Sequence, residues 1–219
     1  MIRLTLAVVA CVLTLAASSA SAAILYSNGT PTQANGTLIS GTAPLRAVAE
    51  PFTISASANV LTFAFSGWVV DNAGNSASFA PQTVDWRVTD TGIGGTTLFG
   101  GSAATLTPVP GTTTTFNSGI ITMQTLTFSA GNIFLPAGVY WLELFNETIQ
   151  GQVANSLTGR WGGVTPNLSD SQTYNGTSVL SGQPSHFIEV SGVPEPASLA
   201  LLGSGLLGIA ALRRNRRSA

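Results

Sequence analysis

Between Ala23 and Gly192 the chain has no ten-residue stretch whose apolar residues recur at helical spacing. A helix that packs on a core repeats its apolar positions every three to four residues; a half-buried strand alternates them every second residue. Alternation is what this stretch offers, in short runs divided by Gly, Pro and Asn. Val60–Val70 is one such run, with Leu61, Phe63 and Phe65 set against Thr62, Ala64 and Ser66, and with Gly67 placed for a bulge. Thr83–Asp90 is another, with Val84, Trp86 and Val88 on one face. Val139–Phe145 reads VYWLELF and is the strongest strand signal of the chain. Shorter strands are expected at Phe52–Ser55, Thr96–Phe99 (broken by Gly100-Gly101), Ser102–Thr107 (stopped by Pro108 and Pro110), Ile120–Phe128, Asn132–Leu135, Thr177–Leu180 and His186–Val190. Loops are expected at Asp71–Ser78 and across Gly151–Gly163, which carries Trp161. Many short strands with irregular connections predict an all-β fold, an antiparallel β-sandwich that is jelly-roll-like, over residues 23–192.

The two ends have another character. Arg3 precedes an apolar stretch, Leu4–Ala17, and then Ser18-Ser19-Ala20-Ser21-Ala22. A positive start, an apolar centre and an A-x-A site (Ala20, Ala22) predict a signal peptide over residues 1–22, cleaved after Ala22. Cys11 is the only cysteine and leaves with it, so the mature body has no thiol for a disulfide, a metal or a nucleophile. At the other end Ala197–Leu212 is 16 residues without a charge, followed by Arg213, Arg214, Arg216 and Arg217. As a helix it is about 24 Å long against a hydrocarbon core of about 30 Å. The arginines hold its end in the cytoplasm. A single transmembrane helix is expected within residues 193–219, and its small residues (Gly203, Ser204, Gly205, Gly208) form a face for another membrane helix.

Val193-Pro194-Glu195-Pro196, then the apolar run, then the arginine cluster resembles the PEP-CTERM sorting signal of Gram-negative bacteria. The resemblance implies that Pro194, Glu195 and Pro196 are read by an exosortase, a membrane-embedded processing enzyme, in bacteria that make exopolysaccharide. It implies export through the inner membrane, which holds the protein transiently, to the cell surface or extracellular matrix. The runs Thr83–Val88, Gly94–Gly101 and Leu135–Leu144 are similar to a body seen in other proteins with this tail. That likeness implies a fold and export and assigns no activity. Gly100-Gly101 and Val139 depart from its usual pattern.

Chemistry is sparse. Outside the terminal segments Arg46, Arg87 and Arg160 stand against eight carboxylates, a net charge of about −5, and the chain has no lysine. Such a balance argues against nucleic acid. Only 8% of residues are charged, and Thr, Ser, Asn, Gln and Gly carry the polarity, a surface suited to a neutral hydrated polymer. His186 is the only histidine and no G-x-S-x-G occurs, so His186 reads as a polar residue at a strand end. One histidine without thiols leaves only oxygen ligands for a metal, and the loop Asp71–Asn75 lacks the ligand spacing of a calcium loop. Glu143 and Glu147 fall on one face of an extended strand about 13 Å apart, too far for paired carboxylate catalysis; both read as solvated or hydrogen-bonded. Trp68, Trp86 and Trp141 read as core, and Trp161, between glycines, reads as the residue placed for an exposed platform beside Arg160 and Tyr174.

The expectation is a non-enzymatic exported protein, without cofactor or metal, associated with extracellular polysaccharide. A carbohydrate-binding module using Trp161, Arg160 and Tyr174 is the alternative, and a polysaccharide hydrolase a third.

Overall fold

The structure, a computed structural model, describes residues 21–32, 36–39, 46–71, 81–116, 119–150 and 157–195. Residues 1–20 and 196–219, with Ala20, Pro196 and the four tail arginines, lie outside these residues. The strands run β1 (Ala23–Ser27), β2 (Thr30–Pro31), β3 (Thr37–Leu38), β4 (Ala47–Ile54), β5 (Ala58–Asp71), β6 (Pro81–Thr89), β7 (Thr97–Thr105) and β8 (Thr107–Phe116). They continue as β9 (Gly119–Leu135), β10 (Gly138–Ile149), β11 (Leu157–Trp161), β12 (Val164–Thr165), β13 (Ser171–Tyr174), β14 (Val179–Gln183) and β15 (Ile188–Pro194). Among the described residues there is no helix, and none long and apolar enough to cross a membrane.

Two antiparallel sheets face each other. In the first, β5 is the central strand. One of its edges pairs with β9, which pairs with β8; its other edge pairs with β15 along Ala58–Phe65 and with β11 along Gly67–Asp71. β1 extends this sheet beyond β15, and β3 beyond β11. The second sheet has the order β14-β13-β4-β10-β6-β7. β2 and β12 form a small separate pair. The inward faces bury Phe63, Phe65, Leu126 and Phe128 of the first sheet against Val48, Phe52, Trp86, Leu142 and Leu144 of the second. Phe63 is the hub, with ring centroids 5.8 Å from Phe52 and 5.7 Å from both Trp86 and Phe128. These are the close tilted and edge-on contacts that aromatic quadrupoles favour.

Several boundaries differ from expectation. The bulge of β5 against β15 is at Leu61, and opposite it β9 bulges too, with three residues (Ala130, Gly131, Asn132) facing one. Gly131 and Asn132 take positive φ there, so β9 continues to Leu135 instead of stopping at Phe128. Leu61, the extra residue of β5 between the pairs Thr62–Ser191 and Val60–Gly192, switches the phase of β5, so that Val60 and Phe63 are both fully buried and Leu61 is not. Gly67 stays in register. Gly100 and Gly101 do not break β7, because the strand passes over Trp86 there and a Cβ on Gly101 would stand 2.6 Å from its indole nitrogen. Pro108 and Pro110 do not stop β8, an edge strand where a missing N–H leaves no ladder bond unmade. Trp161 lies in β11 and not in a loop, and β13 has no counterpart among the expected strands.

Candidate functional site

The start of the sorting signature is part of the sandwich. In β15, Gly192, Val193 and Pro194 pair with Val60, Asn59 and Ala58 of the central strand. The next residue, Glu195, donates its backbone N–H to Ser57 O at 2.9 Å. A register shift between Ser191 and Gly192 brings Gly192 against Asn59 O, with Val60 Cα 2.9 Å from where a Cβ would stand; only glycine fits without displacing the strand. Pro194 occupies the last paired position, where its lost donor costs little. On the other edge of β15, Ala23 pairs with Gly192. Ala22 is exposed one residue before β1, so a cut after it leaves the strand whole.

A buried polar cluster ties β15 to the rest of the fold. Asn28, after β1, accepts from Ile188 N (3.0 Å) and donates to His186 O (2.7 Å) and Glu50 Oε1 (3.1 Å). Glu50 of β4 accepts His186 N at 2.9 Å. Around the His186 ring, Thr37 Oγ1 lies 2.9 Å from Nε2 and Glu50 Oε2 lies 3.6 Å from Nδ1. A hydroxyl, an imidazole and a carboxyl in that order resemble a nucleophilic triad. The electrostatics oppose it. His186 is fully buried and Glu50 almost so. Burial pushes Glu50 up to about 9 and His186 down to about 3. Both groups are then neutral near pH 7 and the contact is not an ion pair. An imidazole that resists a proton this strongly is a poor general base. The cluster satisfies backbone groups where β15 begins. His186 is therefore an interior residue, not a polar strand end.

Glu143 and Glu147 do not share a face, which corrects the reading of both as solvated neighbours. Asn146 takes a positive φ of 52°, and the register of β10 against β6 shifts between Phe145 and Thr148. That bulge turns Glu147 inward, where it is buried against Gly159 and pushed up to about 8 by burial alone. Glu143 remains on the outer face of the second sheet, 3.9 Å from the Arg87 guanidinium, which lies over the Phe145 ring at 4.4 Å. Desolvation raises its carboxyl and Arg87 partly offsets this. Trp141 sits one pair along the same face, half-buried and outside the core where the pattern had placed it.

The expected platform does not form. Trp161 is fully buried; its indole N–H donates to Phe187 O at 2.7 Å, and its ring packs 5.8 Å from Phe65 and 5.5 Å from His186. The flanking glycines make room for other groups, Gly159 for Glu147 and Gly162 for Ser66 and Trp68. Arg160, its neighbour on β11, donates to Gly36 O at 2.8 Å. Tyr174 lies on the outer face of the opposite sheet, in the row of Ala47 and Phe145. The second sheet separates it from Trp161, so the three side chains do not converge. Among the described residues no group of three His, Cys, Asp or Glu is placed to hold a metal.

A family model described as the PEP-CTERM protein-sorting motif matches residues 192–217. Neither curated proteins nor solved structures give a match. The match starts at Gly192, inside β15, and runs through the signature, the apolar stretch and the arginine cluster. A motif of this kind marks an exported protein that exosortase recognises and processes at the membrane. The chain is thus a β-sandwich body that carries a PEP-CTERM protein-sorting motif.

Proposed function

We propose that the sandwich is a non-enzymatic component of the cell surface or extracellular matrix, delivered by exosortase processing and associated there with exopolysaccharide. The observation that carries this reading is the continuity of the sorting motif with β15. The motif leaves the fold from a strand paired to the central strand, so the folded sandwich is the cargo of the tail. Two features support the rest. Glu50, His186 and Glu147 are closed off from solvent and spent on packing and backbone pairing. The low charge of the chain, with hydroxyl, amide and glycine residues carrying its polarity, leaves a surface that hydrogen-bonds without a strong field. Association with a neutral polymer is then a matter of many weak contacts over a wide area. Intact mass and fractionation of the protein from its own host test the reading. A chain that starts at Ala23, ends near Pro194-Glu195-Pro196 and co-purifies with polysaccharide supports it. A chain with its whole tail, held in the inner membrane, refutes it.

A second reading, a carbohydrate-binding module, draws on the outer face of the second sheet. There Trp141 and Phe145 flank Glu143, with Arg87 across the strand pair. Polysaccharide retention by the body that is lost in Trp141→Ala, with unchanged stability, favours this reading over diffuse association.

A further inference from the structure

We propose that the end of the sandwich from which the sorting tail departs is a membrane-facing rim that rests in the headgroup layer of a phospholipid bilayer. Four chain segments meet at this end. Pro194 pairs with Ala58 of β5, and Ala58 pairs on its other side with Leu135. Ile54 pairs with Gly138 in the second sheet, and Ala23 with Gly192 in the first. The turns Ser55–Ser57 and Pro136–Ala137 cross between the sheets here. Ile24, Phe134 and Val139 project from these segments with 63%, 43% and 60% of their surfaces exposed. Over Ala23–Leu25, Ile54–Asn59, Phe134–Val139 and Gly192–Glu195 the one charged side chain is Glu195. The opposite end carries Arg46 and Asp71 beside the first residue of β4 and at the last of β5. Asp90, exposed just after β6, lies toward the same end as Gly138, so the apolar part of the rim is the edge formed by β1, β5, β9, β10 and β15.

Chain length supplies the occupant. Glu195 is tied to Ser57 O, and Ala197 opens the uncharged run two residues later. Two residues span at most about 7 Å. The headgroup layer of one leaflet is roughly 5–8 Å thick. A run of 16 residues is too short to cross the hydrocarbon and also extend into water, so Ala197 sits at the hydrocarbon boundary. The rim is then within the headgroup layer for as long as the tail is attached, and its apolar side chains reach the depth at which interfacial segments bury theirs. This inference rests on the tail being a membrane segment.

The test uses the chain from Ala23 to Ala219, which contains no cysteine, so that one introduced thiol carries an environment-sensitive dye. Dye positions are Phe134→Cys and Val139→Cys at the rim and Gln82→Cys, exposed at the far end. The protein is reconstituted in vesicles of phosphatidylethanolamine and phosphatidylglycerol, with or without a lipid quencher at a shallow acyl position. Rim labels are expected to shift to the blue and to be quenched about threefold more than the label at 82. Flotation with the vesicles while all three labels stay equally open to aqueous iodide overturns the rim and leaves the membrane tail standing. Failure to float overturns both.

Discussion

Replacing Glu147 with Gln removes one titratable group from between the sheets and leaves its shape nearly intact. In the unfolded chain this carboxyl titrates near 4.5; in the fold, burial pushes it up to about 8. Between those values the unfolded chain has released its proton while the folded chain still holds one. The stability tied to the group is complete below about pH 4.5 and is lost as pH rises toward about 8. Each pH unit inside the window costs about 1.4 kcal/mol. From pH 5 to pH 7 the loss comes to roughly 2–3 kcal/mol, since titration of the unfolded group is only partly complete at pH 5. The Gln variant carries no such dependence, while every other group titrates alike in both proteins. Urea unfolding at pH 5, 6 and 7 reads the difference directly. With a slope of about 2 kcal/mol per molar urea, the variant's midpoint is expected to rise relative to the parent by about 1 M across that range. A gap that stays constant from pH 5 to pH 7 refutes the inward turn at Asn146, because a carboxyl open to water titrates the same in both states.

Trp161→Phe is expected to cost about 1–3 kcal/mol, since Phe187 O loses a buried donor, and Trp161→Ala about 3–5 kcal/mol. Both are read from urea midpoints, and unchanged midpoints place the ring outside the core. Gly192→Ala is expected to cost about 1–3 kcal/mol by pushing β15 off Asn59 and Val60. Hydrogen exchange checks its site, with faster exchange at Val60 and Ser191 and little change in β10; equal protection everywhere refutes the close approach.

The address of this protein is legible without a fold. A Pro-Glu-Pro signature followed by an apolar run and arginines is a local pattern whose meaning depends on order along the chain. The strand class was legible too, because alternation at Phe63/Phe65 and at Val84/Trp86/Val88 records which side of a strand meets the core. Alternation carries its phase only as far as the next bulge. At Leu61 and at Asn146 extra residues reset it, and nothing in the residues on either side announces the reset. That is why Glu143 and Glu147 looked like neighbours on a solvated face and are on opposite sides of a sheet. Trp161 shows the other limit. Glycines beside a tryptophan signal either an exposed loop or a backbone against which other side chains press. Gly162 packs against Trp68 and Gly159 against Glu147, contacts made by partners remote in the chain. The pairing of Glu50 with His186, 136 residues apart, is equally invisible until the sheets stack. Local order along the chain settles export and strand content; burial, and with it the charge state of every interior carboxyl, comes only from which strands meet.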